Sequence, residues 1–166
     1  MANIAQLVNV LQALILTRDD KMVLTPTYHV FDMYKVHHDA DLLDIVCESD
    51  VYAYNGDQIP QIIGSASKDD RGRVHISLCN VHPRNAPKVI CQIRGTKVHG
   101  VSAVILTAGE MNARNTFDQP YQVLPRVYDQ ITLANNMLEF VMPSKSVLVL
   151  SLRIFPIASS EALSRV

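Results

Sequence analysis

The chain has 166 residues, 48% of them hydrophobic and 19% charged, with a net charge of −1. That balance belongs to a globular protein and excludes extended disorder, while singly scattered Lys and Arg leave no electrostatic footprint for nucleic acid or an anionic membrane surface. The length fits one ordinary domain and excludes a complete eight-fold barrel, which takes about 250 residues. Cys47, Cys79 and Cys91 are an odd set without C-x-x-C spacing, and the start carries no basic signal-peptide region, which predicts a reducing, cytoplasmic setting.

Along the chain, Ile4, Leu7, Val8, Leu11, Leu14 and Ile15 recur at three- and four-residue spacing, predicting an amphipathic helix that ends near Thr17. Its apolar run is shorter than the roughly 20 residues that span a bilayer, so it reads as a core helix. Met22, Val23 and Leu24 follow as a short buried strand, which Pro26 stops because proline cannot donate to a ladder. Val30, Phe31 and Tyr34 return to helical spacing.

From Ala40 the texture changes to short β-rich runs divided by turn residues, the pattern of an all-β sandwich. Residues 73–81 alternate, with Val74, Ile76 and Leu78 on one face and His75, Ser77 and Cys79 on the other. Asp69-Asp70-Arg71-Gly72 before them is a hairpin turn with Gly72 available for positive φ. Further strands are expected over 42–48, 64–68, 88–94, 101–108, 137–142 and 146–154, with a short one over 131–133. Residues 111–129, with Pro120 and Pro125, lack either period and read as a long crossing loop. The expected organisation is an α/β helix-strand-helix unit over 1–39, a jelly-roll-like β-sandwich over 40–157 and a tail over 158–166.

Two stretches near the start carry a resemblance: Ala2-Asn3-Ile4-Ala5-Gln6, and the run from Thr25-Pro26-Thr27-Tyr28-His29 through Val30-Phe31-Asp32-Met33-Tyr34-Lys35. With Gly64-Ser65-Ala66-Ser67, Ala113-Arg114-Asn115-Thr116-Phe117-Asp118 and Pro143-Ser144-Lys145-Ser146-Val147, they make the chain similar to the C-terminal portion of family-51 glycoside hydrolases, the α-L-arabinofuranosidases. The resemblance implies that residues 1–39 are the last helix-strand-helix of a (β/α)8 catalytic barrel, followed by a sandwich that packs on the barrel and supports homo-oligomers. It implies retaining hydrolysis of terminal α-L-arabinofuranosyl residues of arabinan or arabinoxylan oligosaccharides, without metal or cofactor.

In that family Gln6 would hydrogen-bond the arabinofuranose ring, as an amide can both donate and accept; read from the residues alone, it lies on the polar side of a helix or caps a neighbouring backbone group. Asn3 shares the motif as a positioning residue. Tyr28 and His29 fall in a strand-end loop, where a barrel enzyme places sugar-contacting groups, though packing the barrel top or opening the helix accounts for them equally. Retaining glycosidases need two carboxyl groups about 5–5.5 Å apart. The only glutamates are Glu48, Glu110, Glu139 and Glu161, all beyond the barrel-like segment, and no Asn-Glu dipeptide occurs. No catalytic residue is therefore assigned, and the chain alone is expected to be inactive.

Other constellations point to ordinary roles. Asp32 and Lys35 have the spacing of a solvated helix-face ion pair. His37 and His38, with Asp39 and Asp41, lack metal-ligand spacing and read as a helix-end cluster. His75 and Cys79 give a weak zinc signal and are expected at the surface, and no serine of the chain sits in a nucleophile elbow. The rival reading is a non-catalytic β-sandwich module, structural, interacting or carbohydrate-binding; the absence of Trp weighs against a sugar-binding surface.

Overall fold

A computed structural model describes residues 4, 6–11 and 13–156. Among them, no helix is long and apolar enough to cross a membrane. Strands β1 (Ile15–Arg18) and β2 (Lys21–Leu24) form an antiparallel hairpin, turned at Asp19, whose φ is +55°. This corrects the expected helix over 4–17. Asn9, itself left-handed at φ +56°, donates to the Thr17 hydroxyl at 2.8 Å and accepts from the Thr17 amide at 2.7 Å. Such side-chain bonding to backbone competes with helix, and Ile15 and Thr17 are β-branched residues beside a turn. A parallel bridge between Val8 and Ile15 ties the preceding segment to the hairpin.

The single α-helix among the described residues, α1 (Pro26–Tyr34), starts four residues before Val30, so Tyr28 and His29, expected in a strand-end loop, lie in its first turn. Thr25 is its N-cap, accepting from the Tyr28 amide at 3.3 Å, and Pro26 occupies the first turn, where its missing N–H is harmless. A 3₁₀ turn (Lys35–His37) continues it.

The remaining strands are β3 (Asp41–Leu43), β4 (Val51–Tyr54), β5 (Asp57–Pro60), β6 (Ile62–Lys68), β7 (Val74–Asn80), β8 (Lys88–Gln92), β9 (Thr96–Thr107), β10 (Arg126–Val127), β11 (Thr132–Ala134), β12 (Met137–Val141) and β13 (Ser146–Pro156). They build a six-stranded sheet in the order β10-β9-β13-β7-β6-β3 and a three-stranded sheet in the order β11-β12-β8, with β4 and β5 as a separate hairpin. Every pairing is antiparallel. The expected strands over 64–68, 88–94, 101–108, 131–133, 137–142 and 146–154 are present with shifted ends, whereas the one over 42–48 shrinks to three residues. The β4–β5 hairpin was not expected, although Asn55-Gly56, both at positive φ, is the sequence signal for such a turn.

Between the two sheets, Leu148, Leu150 and Leu152 of β13 alternate inward with Ile76, Leu78 and Ile105 and meet Leu138 and Phe140 of β12. The three β13 leucines are wholly buried, each contributing roughly 1.5–3 kcal/mol relative to exposure. The opposite face of the six-stranded sheet is covered in part. There Met33 of α1 packs with Leu106, Val149 and Val123, flanked by Val30, Tyr34 and Val36. The large sheet thus buries one face against the small sheet and part of the other beneath α1, while Ile63 and Val104 on that second face stay exposed.

Candidate functional site

The strand-end loop after β2 is built from its backbone outward. The Thr25 hydroxyl lies 2.9 Å from the Ala13 carbonyl and 3.1 Å from that of Leu14, while its amide donates to Leu14. The end of β2 is held from the far side by Asn115, whose amide donates to the Leu24 carbonyl at 2.8 Å and to that of Val123 at 3.0 Å. Asn115 also accepts from the Val123 amide at 2.8 Å and is buried. Both its N–H donors and its carbonyl oxygen are thus spent on fixing the crossing loop to the end of β2. Sequence reasoning missed this role; the only signal was its place in the Ala113 to Asp118 motif.

His29, in the first turn of α1, is buried, and its ring meets that of Tyr28 edge to face, with centroids 5.5 Å apart. Burial pushes its imidazole below the usual range, partly opposed by Asp32, so it stands neutral at pH 7. Its Nε2 has no hydrogen-bond partner among the described residues. A neutral imidazole beside a half-buried tyrosine can position a polar ligand but supplies no carboxylate. Asp32 is committed to Lys35 at 2.7 Å, the solvated helix-face pair expected from their spacing. Gln6 is exposed in the segment before β1, and among the described residues no hydrogen bond joins it to Tyr28 or His29. Asn3 lies outside the described residues, as does Glu161. Glu48 and Glu110 are exposed, and Glu139 pairs with Lys88 at 2.7 Å.

A second polar cluster lies beneath the 3₁₀ turn, on the sheet face that α1 covers. His75, expected at the surface, is instead 2% exposed, because α1 and the 3₁₀ turn roof that face. Its Nε2 is 3.1 Å from the Asp69 carboxylate and its Nδ1 is 2.9 Å from the Ser151 hydroxyl. His37 binds the Ser67 hydroxyl at 2.6 Å, and its ring lies 6.4 Å from that of His75. Burial, then the neighbouring His75, hold His37 below the usual imidazole range. Asp69, His75 and Ser151 line up as a hydrolytic triad does, but the His75 ring is sealed beneath the roof with 2% exposure. Their work is to fasten the β6–β7 turn to β13.

Comparisons with known proteins agree with this architecture. Residues 1–146 match the family described as the α-L-arabinofuranosidase C-terminal domain. The chain is 41% identical over 155 residues to an intracellular exo-α-L-arabinofuranosidase of Bacteroides ovatus, covering 92% of this chain and 30% of that protein. Among solved structures, the GH51 arabinofuranosidase of Xanthomonas axonopodis pv. citri superposes with a TM-score of 0.88 at 40% identity, over 92% of this chain and 31% of that one. The α-L-arabinofuranosidase of Thermotoga maritima, solved with arabinose, gives 0.77 at 26% identity over 89% and 32%. The chain thus spans about a third of the length of each relative. It belongs to the α-L-arabinofuranosidase C-terminal domain family, as a C-terminal portion of the family-51 glycoside hydrolase type.

Proposed function

We propose that this chain is the C-terminal part of an intracellular, retaining α-L-arabinofuranosidase acting on arabinan or arabinoxylan oligosaccharides. The observation that carries this reading is the 41% identity to the intracellular exo-enzyme of Bacteroides ovatus over nearly the whole chain. In such an enzyme Gln6 contacts the arabinofuranose ring with Asn3 positioning it, and Tyr28 and His29 stand beside the site. The domain boundary falls near Asp39, residues 1–39 close the catalytic barrel, and the sandwich serves as its scaffold and as a surface for homo-oligomers. No metal or cofactor takes part.

On its own the chain does no hydrolysis. Protonating the leaving oxygen and forming a glycosyl-enzyme both require the paired carboxyl groups. Among the described glutamates, two are solvated and Glu139 is held by Lys88. Hydrolysis of a chromogenic α-L-arabinofuranoside tests this, by the purified chain and by the chain mixed with a protein supplying the other barrel strands. Activity in the mixture alone supports the reading. Turnover by the isolated chain overturns the assignment of the chemistry, and silence in both directs attention to a structural module.

A further inference from the structure

Two adjoining clefts, of about 770 and 520 Å³, lie where the crossing loop after β9 meets the turn before β13. They share Gly109, Glu110, Asn112 and Lys145, so they form one groove. Its charged lining is Arg84, Arg114, Arg126 and Lys145 against the single carboxylate of Glu110. This is a cationic concentration in a chain whose net charge is −1. Among the described residues, none of the four cations has a carboxylate within ion-pair distance.

The groove is held in shape by its surroundings. Arg114 precedes the buried Asn115 anchor, and Arg126 lies in β10, paired to Ile105 of β9. Lys145 sits at φ +52°, a left-handed conformation uncommon for a residue with a side chain. Its ammonium donates to the Pro83 carbonyl at 2.6 Å and to the Ser144 hydroxyl at 3.2 Å. An ammonium has three donors, so one is left for a ligand at the junction of the clefts.

The geometry points to a binding site for an acidic oligosaccharide, one that carries uronate carboxylates among its hydroxyls. A site for a simple inorganic anion has no use for Glu110, whose charge would repel it. A site for a neutral sugar has no use for unpaired guanidinium groups, and this groove offers no aromatic face for a sugar ring to stack on. A polyhydroxylated carboxylate uses both kinds of group. Its carboxylates take bidentate bonds from Arg114 and Arg126, and its hydroxyls donate to Glu110 and pair with the Gln122 amide. This site is independent of the arabinofuranosidase reading, since it needs neither Gln6 nor a catalytic pair.

Titration of the isotope-labelled full chain with trigalacturonate, followed by amide chemical shifts, tests the proposal, with neutral arabinotriose and inorganic phosphate as parallel probes. The expected result is that trigalacturonate moves the amides of residues 109–116 and 144–146, and that added salt weakens the effect. The R114Q/R126Q double variant, altered only at exposed side chains, is expected to bind about tenfold more weakly through loss of charge-assisted hydrogen bonds, with shifts elsewhere unchanged. No shift with trigalacturonate, an equal response to arabinotriose or to phosphate, or undiminished binding by the double variant would overturn it.

Discussion

Replacing Asp69 by alanine removes the group that joins the β6–β7 turn to the buried His75. Its Oδ1 accepts from the amides of Arg71 at 3.1 Å and Arg73 at 2.8 Å, and its Oδ2 from the Arg73 guanidinium at 2.8 Å and His75 Nε2 at 3.1 Å. Water can replace Asp69 at the exposed turn amides, and the half-exposed Arg73 contributes about 0–1 kcal/mol. The larger loss is at His75, whose side chain is 3% exposed and whose Nε2–H would be left without a partner. With about 1–3 kcal/mol for that orphaned donor, Asp69→Ala should destabilise the fold by about 1–4 kcal/mol.

Asp69→Asn keeps the Oδ1 bonds, and its amide can donate to Nε2 if His75 moves its proton to Nδ1 and donates to Ser151. The expected cost of that exchange is therefore smaller, about 1 kcal/mol. Burial alone would raise the Asp69 carboxyl, but the bonds from His75 and from the Arg73 backbone and guanidinium outweigh it and hold the group well below the usual carboxylate range. A carboxyl depressed by folding stabilises the native state above its unfolded value, near 3.9, and that contribution is lost as pH falls through the folded value. The gap between parent and Asp69→Asn should thus be flat from pH 7 to 5 and narrow below about pH 4. Urea unfolding followed by far-UV circular dichroism measures it, the chain having no Trp to report. An alanine variant as stable as the parent, or an asparagine variant as damaging as alanine, would refute the reasoning.

Three further outcomes are expected. Asn115→Ala breaks three bonds at a buried site and should cost about 2–3 kcal/mol, with amide exchange rising first at Leu24 and Val123. Leu150→Ala, at a wholly buried position of the central strand, should cost about 2–5 kcal/mol in the same urea assay. His37 should titrate below its unfolded value near 6.5 in imidazole NMR spectra. Since folding depresses it, its contribution is complete above that value and is lost as pH falls through the folded one. His37→Gln should therefore flatten the stability profile as pH falls below about 6.5.

Much of the candidate site was legible because it rests on local chemistry. Pro26 ends β2 because it has no N–H to donate to a ladder, and Gly72 closes a turn by its positive φ of 76°. Asp32 and Lys35 meet because three residues separate them on one helix. Residues 4–17 misled because a three-and-four stripe is only a tendency. Of that stripe only Ile15 enters the hairpin, where Asn9 binds Thr17 across eight positions, while Leu7, Val8 and Leu11 stay exposed before it. His75 misled for a related reason. Strand alternation says which residues share a face but not whether something covers it.

The alternating strands, the turn chemistry and, through short motifs, the family to which the chain belongs are all legible in the order of residues. Each of these depends on residues adjacent in the chain or on short spacings. Only the packing of distant segments decided that β13 lies between β9 and β7, that α1 covers part of the second face of the large sheet and that Asn115 reaches Leu24 across 91 positions. It also decided that scattered cations converge on one groove. These outcomes depend on which distant segments pair and pack, because the free energy of burial is shared by the whole core rather than carried by any one stretch.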